Sequence, residues 1–508
     1  MIPNLPNSHW PNTLGTHGLP TPRETDDIRR AIENADTGIA LIDKDIIRLN
    51  EVLAYAKLRR AEISSHEEAH KALLAPLRRC PDEILSEIFI YWFHQKDDKH
   101  HKKIMPWYTG TICRRWREVA LRTSALWSDI IFVHNNGERG SGVRRGEMLR
   151  ELFRRTGVSR PVSLQITSYS APLSEFTEDI LPAILPTSNR WRHLRLRLTT
   201  DKIKSLSPVK GALSSLESLV IQGDMPAGEA CEIFEVAPRL FRVYMDVMDL
   251  SVGDITLPWT QMTDFSVGMV CSWERCLTLL SDCPNLVSCA FDGVVDGVAE
   301  TSQFRNSVLH HAHLRNLKPK PCFLTDFFDC LSTPKLRTFH ITTRCLHPVM
   351  HIAITNFLLR SHCTIVTFKW DGFIHGLSHV IRFMSELEEL QLLVTRAKEA
   401  QLACKLLLEL TLDASADENS CLCPRLHTIH LYSAGEFDKH VLLVFIKSRW
   451  PMRVSNQHVK PLRSVRLIMG IKFEESDKVF SEELEVLRDE GIDIVIDLFQ
   501  QYLVSGSR

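Results

Sequence analysis

The chain has no run of apolar residues near the ~18 that a membrane-spanning helix needs, and Val441-Leu442-Leu443-Val444-Phe445-Ile446 stops far short. Net charge is nearly absent too, at −1, so nothing draws the whole chain toward nucleic acid or a membrane surface. Any electrostatic partner has to be sought locally. The 14 cysteines show no disulfide-like framework, and many stand where a small apolar residue would serve, which suggests a reducing compartment. Met1 to Pro22 lacks the charged start and apolar stretch of a signal peptide and is expected to be a disordered tail, residues 1–23. Together these absences predict a chain of the cytoplasm, the nucleus or both, with no nucleic-acid or membrane partner.

Recognisable catalytic machinery is missing as well. No nucleophile elbow, zincin helix, paired-carboxylate motif or phosphate loop stands out. Gly137, Gly140, Gly142 and Gly146 lie between a strand at 130–133 and a helix from Glu147 to Arg155, the setting of a phosphate loop. Their spacing fits neither the dinucleotide nor the Walker pattern, so a basic connector over 131–160 is expected, with a nucleotide-using enzyme as the weakest alternative. His310, His311 and His313 cannot all face one metal from a regular element, and Cys421-x-Cys423 lacks a second pair at zinc spacing. His94, His100 and His101 lie among lysines that oppose a cation. Each cluster reads as a solvated loop. The chain is expected not to be an enzyme and to hold no cofactor or metal.

What is present is ordinary globular material in quantity: 508 residues, 44% hydrophobic and 24% charged, enough for about three domains. Residues 24–76 carry a heptad. From Ile28, alternating steps of four and three reach Ile32, Ala35, Ile39, Ile42, Ile46, Leu49, Leu53 and Ala56. That regularity marks a seam, as in a coiled coil, with self-association as one outcome and folding back on the chain as the other. Beyond Ala56 the register meets Arg60, Ile63, Glu67 and His70 before Leu74, so the seam weakens. Gly38 inside it costs about 1 kcal/mol relative to alanine.

Residues 77–130 hold two apolar stripes at helical spacing. Pro81 suits a first helical turn, Asp82 and Glu83 suit its positive end, and Ile84, Leu85, Ile88 and Phe89 share one face. Ile112, Trp116, Val119 and Ala120 form the second stripe, flanked by Arg114, Arg115 and Arg117. Cys80-Pro81-Asp82-Glu83-Ile84-Leu85, Ile112-Cys113-Arg114-Arg115-Trp116-Arg117 and Leu126-Trp127 together resemble the F-box, a three-helix module. The wording is similar to F-box proteins abundant in mushroom-forming fungi. Departures are Cys80 for the usual leucine and a polar insert from Lys96 to Lys103. The resemblance implies docking onto a Skp1-type adaptor, and through it a cullin. It assigns adaptor contact, or support of that contact, to Pro81, Ile84, Leu85, Ile88, Phe89, Cys113, Trp116 and Trp127.

From residue 161 to 508 the chain repeats an apolar-x-x-apolar-x-apolar pattern, first at Trp191/Leu194/Leu196 and last at Leu462/Val465/Leu467. Most steps are roughly 22 to 29 residues, the range of leucine-rich repeats. Helical stretches such as Trp273 to Leu280 and Phe327-Phe328-Leu331 fill the intervals, and a strand is expected at 492–496. The turn asparagine of that family is missing; Asp224, Met248, Val270, Val294 and Thr395 stand in its place. The expected fold is therefore α/β: a long N-terminal helix or coiled coil, a three-helix F-box, and a leucine-rich-repeat-like solenoid with a parallel sheet on its concave face.

The residue between the second and third apolar positions of each strand should face outward. That places Arg195, Val220, Tyr244, Ser266, Ala290, His340, Lys369, Gln391, His430 and Arg466 on one surface. His193, Arg242, Asp264, Thr338, Glu389 and Thr428 lie two residues earlier. Arg195, Arg242, Tyr244, His340, Lys369, His430 and Arg466 are the candidate target-binding residues. The expected function is substrate recognition in a ubiquitin ligase; the alternative is a scaffold that works without the adaptor.

Overall fold

The computed structural model describes residues 19–94, 108–134, 145–169, 172–224, 231–248, 255–295, 304, 307–321, 325–343, 349–394, 399–412, 422–433, 438–450, 459–469 and 478–498. Residues 1–18 of the expected tail, the Lys96–Lys103 insert, His100, His101, Gly137, Gly140, Gly142, Thr395 and Cys421 lie outside them. The chain divides into two compact units, 1–92 and 93–508.

In the first unit, Thr21-Pro22-Arg23-Glu24 starts a helix by a reciprocal cap. The Glu24 amide donates to Thr21 Oγ1 at 3.4 Å, and the Thr21 amide donates to Glu24 Oε2 at 2.8 Å. Pro22 fills the first helical position, where no amide is needed. Helix α1, Pro22–Leu74, then runs without a break for 53 residues, about 80 Å at 1.5 Å per residue. It stops where Pro76 disfavours helical backbone at Ala75. One tight turn, Pro76–Arg78, leads to α2, Asp82–His94, whose first turn carries Asp82 and Glu83.

The second unit begins with two short helices, α3 Thr109–Ile112 and α4 Arg114–Arg122. A parallel sheet then grows strand by strand. In chain order the strands are β1 Asp129–Val133, β2 Val162–Ser168, β3 Trp191–Leu198, β4 Ser218–Asp224, β5 Arg242–Met248, β6 Asp264–Ser272 and β7 Ser288–Val295. They continue with β8 Leu309–His310, β9 Asn316–Pro321, β10 Leu331–Ser332, β11 Thr338–Thr342 and β12 Thr367–Asp371. The last four are β13 Glu389–Val394, β14 Thr428–Ser433, β15 Ser464–Met469 and β16 Asp493–Leu498. Fourteen of them form one sheet, ordered as in the chain, with only β8 and β10 set apart as a small parallel pair. The sheet does not close into a barrel.

Its register explains why the pattern works. Leu194, Leu219, Val243, Phe265, Cys289 and Leu317 pair in one row, continued by Phe339, Phe368, Leu390, Ile429, Val465 and Ile494. Every member is buried. Helices between strands cover that row, among them Trp273–Asp282, Met350–Ser361, Ala400–Leu410 and Lys439–Ser448. Phe339 sits at the middle of an aromatic cluster, with ring centres 5.9 Å from Phe328, 5.8 Å from Phe357 and 5.9 Å from Phe368. The fold is thus mixed α/β, with a long N-terminal helix and a large open parallel sheet. Among the described residues no helix is long and apolar enough to cross a membrane.

Candidate functional site

The eight residues assigned to adaptor contact fall on two short stretches, one in each unit. On α2 the side chains sort by burial. Leu85 and Phe89 are fully buried, whereas Ile84 is 52% exposed, Ile88 43% and Tyr91 69%. Three and four residues separate the exposed ones, so they form one stripe on the helix. Pro81 is exposed just before the helix, and its carbonyl accepts from the Leu85 amide at 3.0 Å.

On α4, Cys113 is the N-cap: its Sγ accepts from the Trp116 amide at 3.4 Å. Trp116 is half-buried. The turn Ser124–Trp127 follows, and its buried Trp127 donates from Nε1 to the Ala120 carbonyl at 2.8 Å. The Arg155 guanidinium lies 4.6 Å above the Trp127 ring. Trp127 therefore braces the end of α4, while Cys113 stands exposed at its start.

The outward residues of the sheet come together in a single row. Register pairs Gln165 with Arg195, Arg195 with Val220, Val220 with Tyr244, Tyr244 with Ser266, Ser266 with Ala290 and Ala290 with Lys318. On the far side His340 pairs with Lys369, Lys369 with Gln391, Gln391 with His430, His430 with Arg466 and Arg466 with Val495. Lys318 and His340 follow the paired residues Leu317 and Phe339, so they close the row. None of these side chains is buried, and none is acidic.

A second row contains His193, Arg242, Asp264, Thr338, Glu389 and Thr428, and here charges are answered. Arg242 Nε donates to Asp264 Oδ2 at 2.9 Å. Glu389 accepts from Gln391 Nε2 and from Thr367 Oγ1. In the first row Arg195, Lys318, Lys369 and Arg466 have no ion pair among the described residues. Partial burial, reinforced by Lys318 and Lys369 on either side, pushes the His340 imidazole down to about 4. Burial likewise lowers His193 and His430, with Arg466 and Lys369 adding to the effect on His430 and Glu389 opposing it. Burial raises the Tyr244 phenol, helped by Asp246 and Asp292. Around neutral pH this face offers fixed positive charge from lysine and arginine beside neutral histidines that still hydrogen-bond.

No protein-family model matches the chain, and no curated protein matches it.

Several polar groups have roles that their sequence context hid. Lys318 completes the outward row, and its signal was its place directly after Leu317. His311, expected in a solvated loop, is buried: its Nε2 donates to the Cys283 carbonyl at 2.9 Å and its Nδ1 accepts from the Leu314 amide at 3.2 Å. Gly146, candidate for a phosphate loop, opens the helix Arg145–Arg155, and its amide already donates to Asp179 Oδ2 at 2.9 Å. Buried His134 and Lys202 converge on Ser168: His134 Nδ1 lies 3.1 Å from its Oγ, Lys202 Nζ donates to its carbonyl at 2.9 Å, and Glu175 accepts from His134 Nε2 at 3.0 Å. Buried Arg449 donates to three carbonyls, Leu410 at 2.9 Å, Cys423 at 3.0 Å and Leu422 at 2.7 Å. Among the described residues no group of three or more His, Cys, Asp or Glu could hold a metal ion.

Proposed function

We propose that the chain is the target-recognition subunit of a cullin-type ubiquitin ligase. In this reading residues 77–130 are an F-box that docks on a Skp1-type adaptor. The parallel sheet and its helices form a leucine-rich-repeat-like solenoid, and its concave face holds the target protein. Such a subunit works in the cytoplasm or nucleus and catalyses nothing itself; it brings a target to partner enzymes.

The observation that carries the reading is the sorting on α2. Leu85 and Phe89 are buried, while Ile84, Ile88 and Tyr91 leave an apolar stripe outside on the same motif helix. Apolar anchors that bury themselves in a second protein supply most of an interface's affinity. Support for the target face comes from the outward row, where Arg195, Lys318, Lys369 and Arg466 have no ion pair among the described residues. Arginine and lysine rows of this kind suit an acidic or phosphorylated segment, with which arginine pairs bidentately.

Ile84→Asp tests the docking. Aspartate stays solvated on the free chain, so thermal unfolding should be unchanged, while adaptor affinity should fall by about 2 kcal/mol or more, roughly thirtyfold. Titration calorimetry of full-length parent and variant against the purified adaptor reads this directly. Equal affinity for both would overturn the F-box reading and leave the scaffold.

A further inference from the structure

We infer that α1 pairs with α1 of a second copy of this chain, antiparallel and end to end. This inference stands apart from the adaptor reading. Along α1 the seam residues Ile32, Ile39, Ile42, Ile46, Leu49, Leu53 and Ile63 are 49% to 59% exposed. A single helix of this kind keeps its apolar stripe in water, and packing is what gives most helices their stability. What remains to decide is the occupant, and the two charges in the seam decide it.

Counting Ile32, Ile39, Ile46 and Leu53 as heptad a positions and Ile28, Ala35, Ile42, Leu49, Ala56 and Ile63 as d positions, Arg60 and Glu67 stand at a positions otherwise taken by isoleucine and leucine. A parallel pair in register sets Arg60 on Arg60 and Glu67 on Glu67, and supplies no opposite charge at the flanking positions. In an antiparallel pair each a residue lies level with a d residue of the partner, beside the e residue that follows it. One register then has Ile46 facing Leu49 of the second copy, Leu53 facing Ile42, Ile39 facing Ala56 and Ile32 facing Ile63. In that register Arg60 meets small Ala35 and lies beside Asp36, while Glu67 lies beside Arg29. Lys57 also flanks Asp36. Both seam charges are answered twice by the symmetry.

Neighbouring registers fail. One heptad one way sets Arg60 beside Arg29 and brings the two Asp43 residues together; one heptad the other way sets Glu67 beside Asp36. The chosen register also brings Pro22 level with Leu73, so the 53-residue helices overlap along their whole length. Asp36, Lys57 and Arg60 have no ion pair within their own chain among the described residues. Arg29 and Glu67 hold only exposed partners on the same helix, Asp26 at 3.5 Å and Lys71 at 2.7 Å, which a facing charge can join. A charged a position that sets register at some cost in stability is a known device of coiled coils.

The test uses the full chain in sedimentation equilibrium. The parent should have twice the 58.2 kDa mass of one chain. Asp36→Arg puts like charges beside Arg60 and Lys57 and should raise the dimer dissociation constant at least tenfold; Arg60→Asp in the same chain should restore most of it. For direction, Ile39→Cys and Ala56→Cys chains are oxidised separately and mixed. Antiparallel pairing gives a linked dimer above the parent's background only in the mixture. A monomeric parent, a link formed by Ile39→Cys alone, or a double variant as weak as Asp36→Arg would each overturn the inference.

Discussion

Helix α1 and the sheet of the second unit use the same apolar residues at equally regular spacing, and to opposite ends. In the sheet Leu219, Phe339 and Leu390 are 0% exposed, whereas in α1 Ile39 and Leu49 stay 56% and 59% exposed. Connectivity makes the difference. Parallel strands cannot be joined by tight turns, so each step needs a crossover long enough to lay a helix or loop over the sheet's apolar face. A lone helix that ends at Leu74, just before Pro76, has no such return path within its own 53 residues. Regular spacing therefore announces an apolar face, and the crossovers decide whether the chain closes that face itself.

The largest expected contrast comes from deleting one apolar side chain in each region. Phe339→Ala removes a ring from the aromatic cluster and should destabilise the second unit by about 3–5 kcal/mol in urea unfolding. Leu49→Ala should leave that transition in place, because no core in the unit depends on it. Equal losses from both would erase the contrast.

Glycine replacement should even change sign between the regions. A Cβ on Gly146 would meet the Asp179 carbonyl oxygen at 2.2 Å, so Gly146→Ala must shift backbone and should cost about 1–3 kcal/mol. At Gly38 a Cβ meets nothing within 4 Å, so Gly38→Ala should stabilise α1 by about 1 kcal/mol, visible as higher helix content on heating.

Protonation sharpens the comparison next. His340 is held down to about 4, below the ordinary 6.5, by burial and by Lys318 and Lys369. The unfolded chain therefore binds the proton first as pH falls through 6.5, and stability drops until the folded imidazole itself charges near 4. The sheet should lose denaturant resistance across that window, and His340→Gln should flatten the loss. The smallest stability change, under about 1 kcal/mol, is expected for Arg195, Arg242 and Lys369 all changed to Glu. On the proposed target-recognition reading that variant should nonetheless release captured targets; retention of all of them would remove these two rows as the proposed binding face.

Much of the sheet was legible because its signal is local. Leu-x-x-Leu-x-Leu spacing marks one buried face whatever surrounds it, and the outward row follows from counting along the strand. β2 escaped that signature, since Val162, Leu164 and Ile166 alternate strictly with polar residues and lack the extra leading apolar position. Buried polar groups were harder still. His311 sits beside His310 and His313 in a polar-looking stretch, and its burial rests on the Cys283 carbonyl, 28 residues away, together with the Leu314 amide. Arg449 reads as one more surface cation until three carbonyls from elsewhere in the chain surround it. On α2, helical spacing grouped Ile84 with Leu85, but which of them turns inward depends on packing that no local pattern records.

The Arg449 guanidinium also bears on how this protein can change length. It fastens Leu410 on one side of the 411–421 segment and Leu422 and Cys423 on the other, while Ser448 Oγ accepts from the Leu412 amide at 3.1 Å. With both flanks clamped by Arg449 and Ser448, the placing of Leu410, Leu412, Leu422 and Cys423 does not depend on a fixed length of chain between them. Lengthening a closed loop is cheap, about 0.6 kcal/mol for each doubling. New sequence, even a folded cargo such as a fluorescent reporter, could be spliced between Leu412 and Leu422 with the sheet left in register.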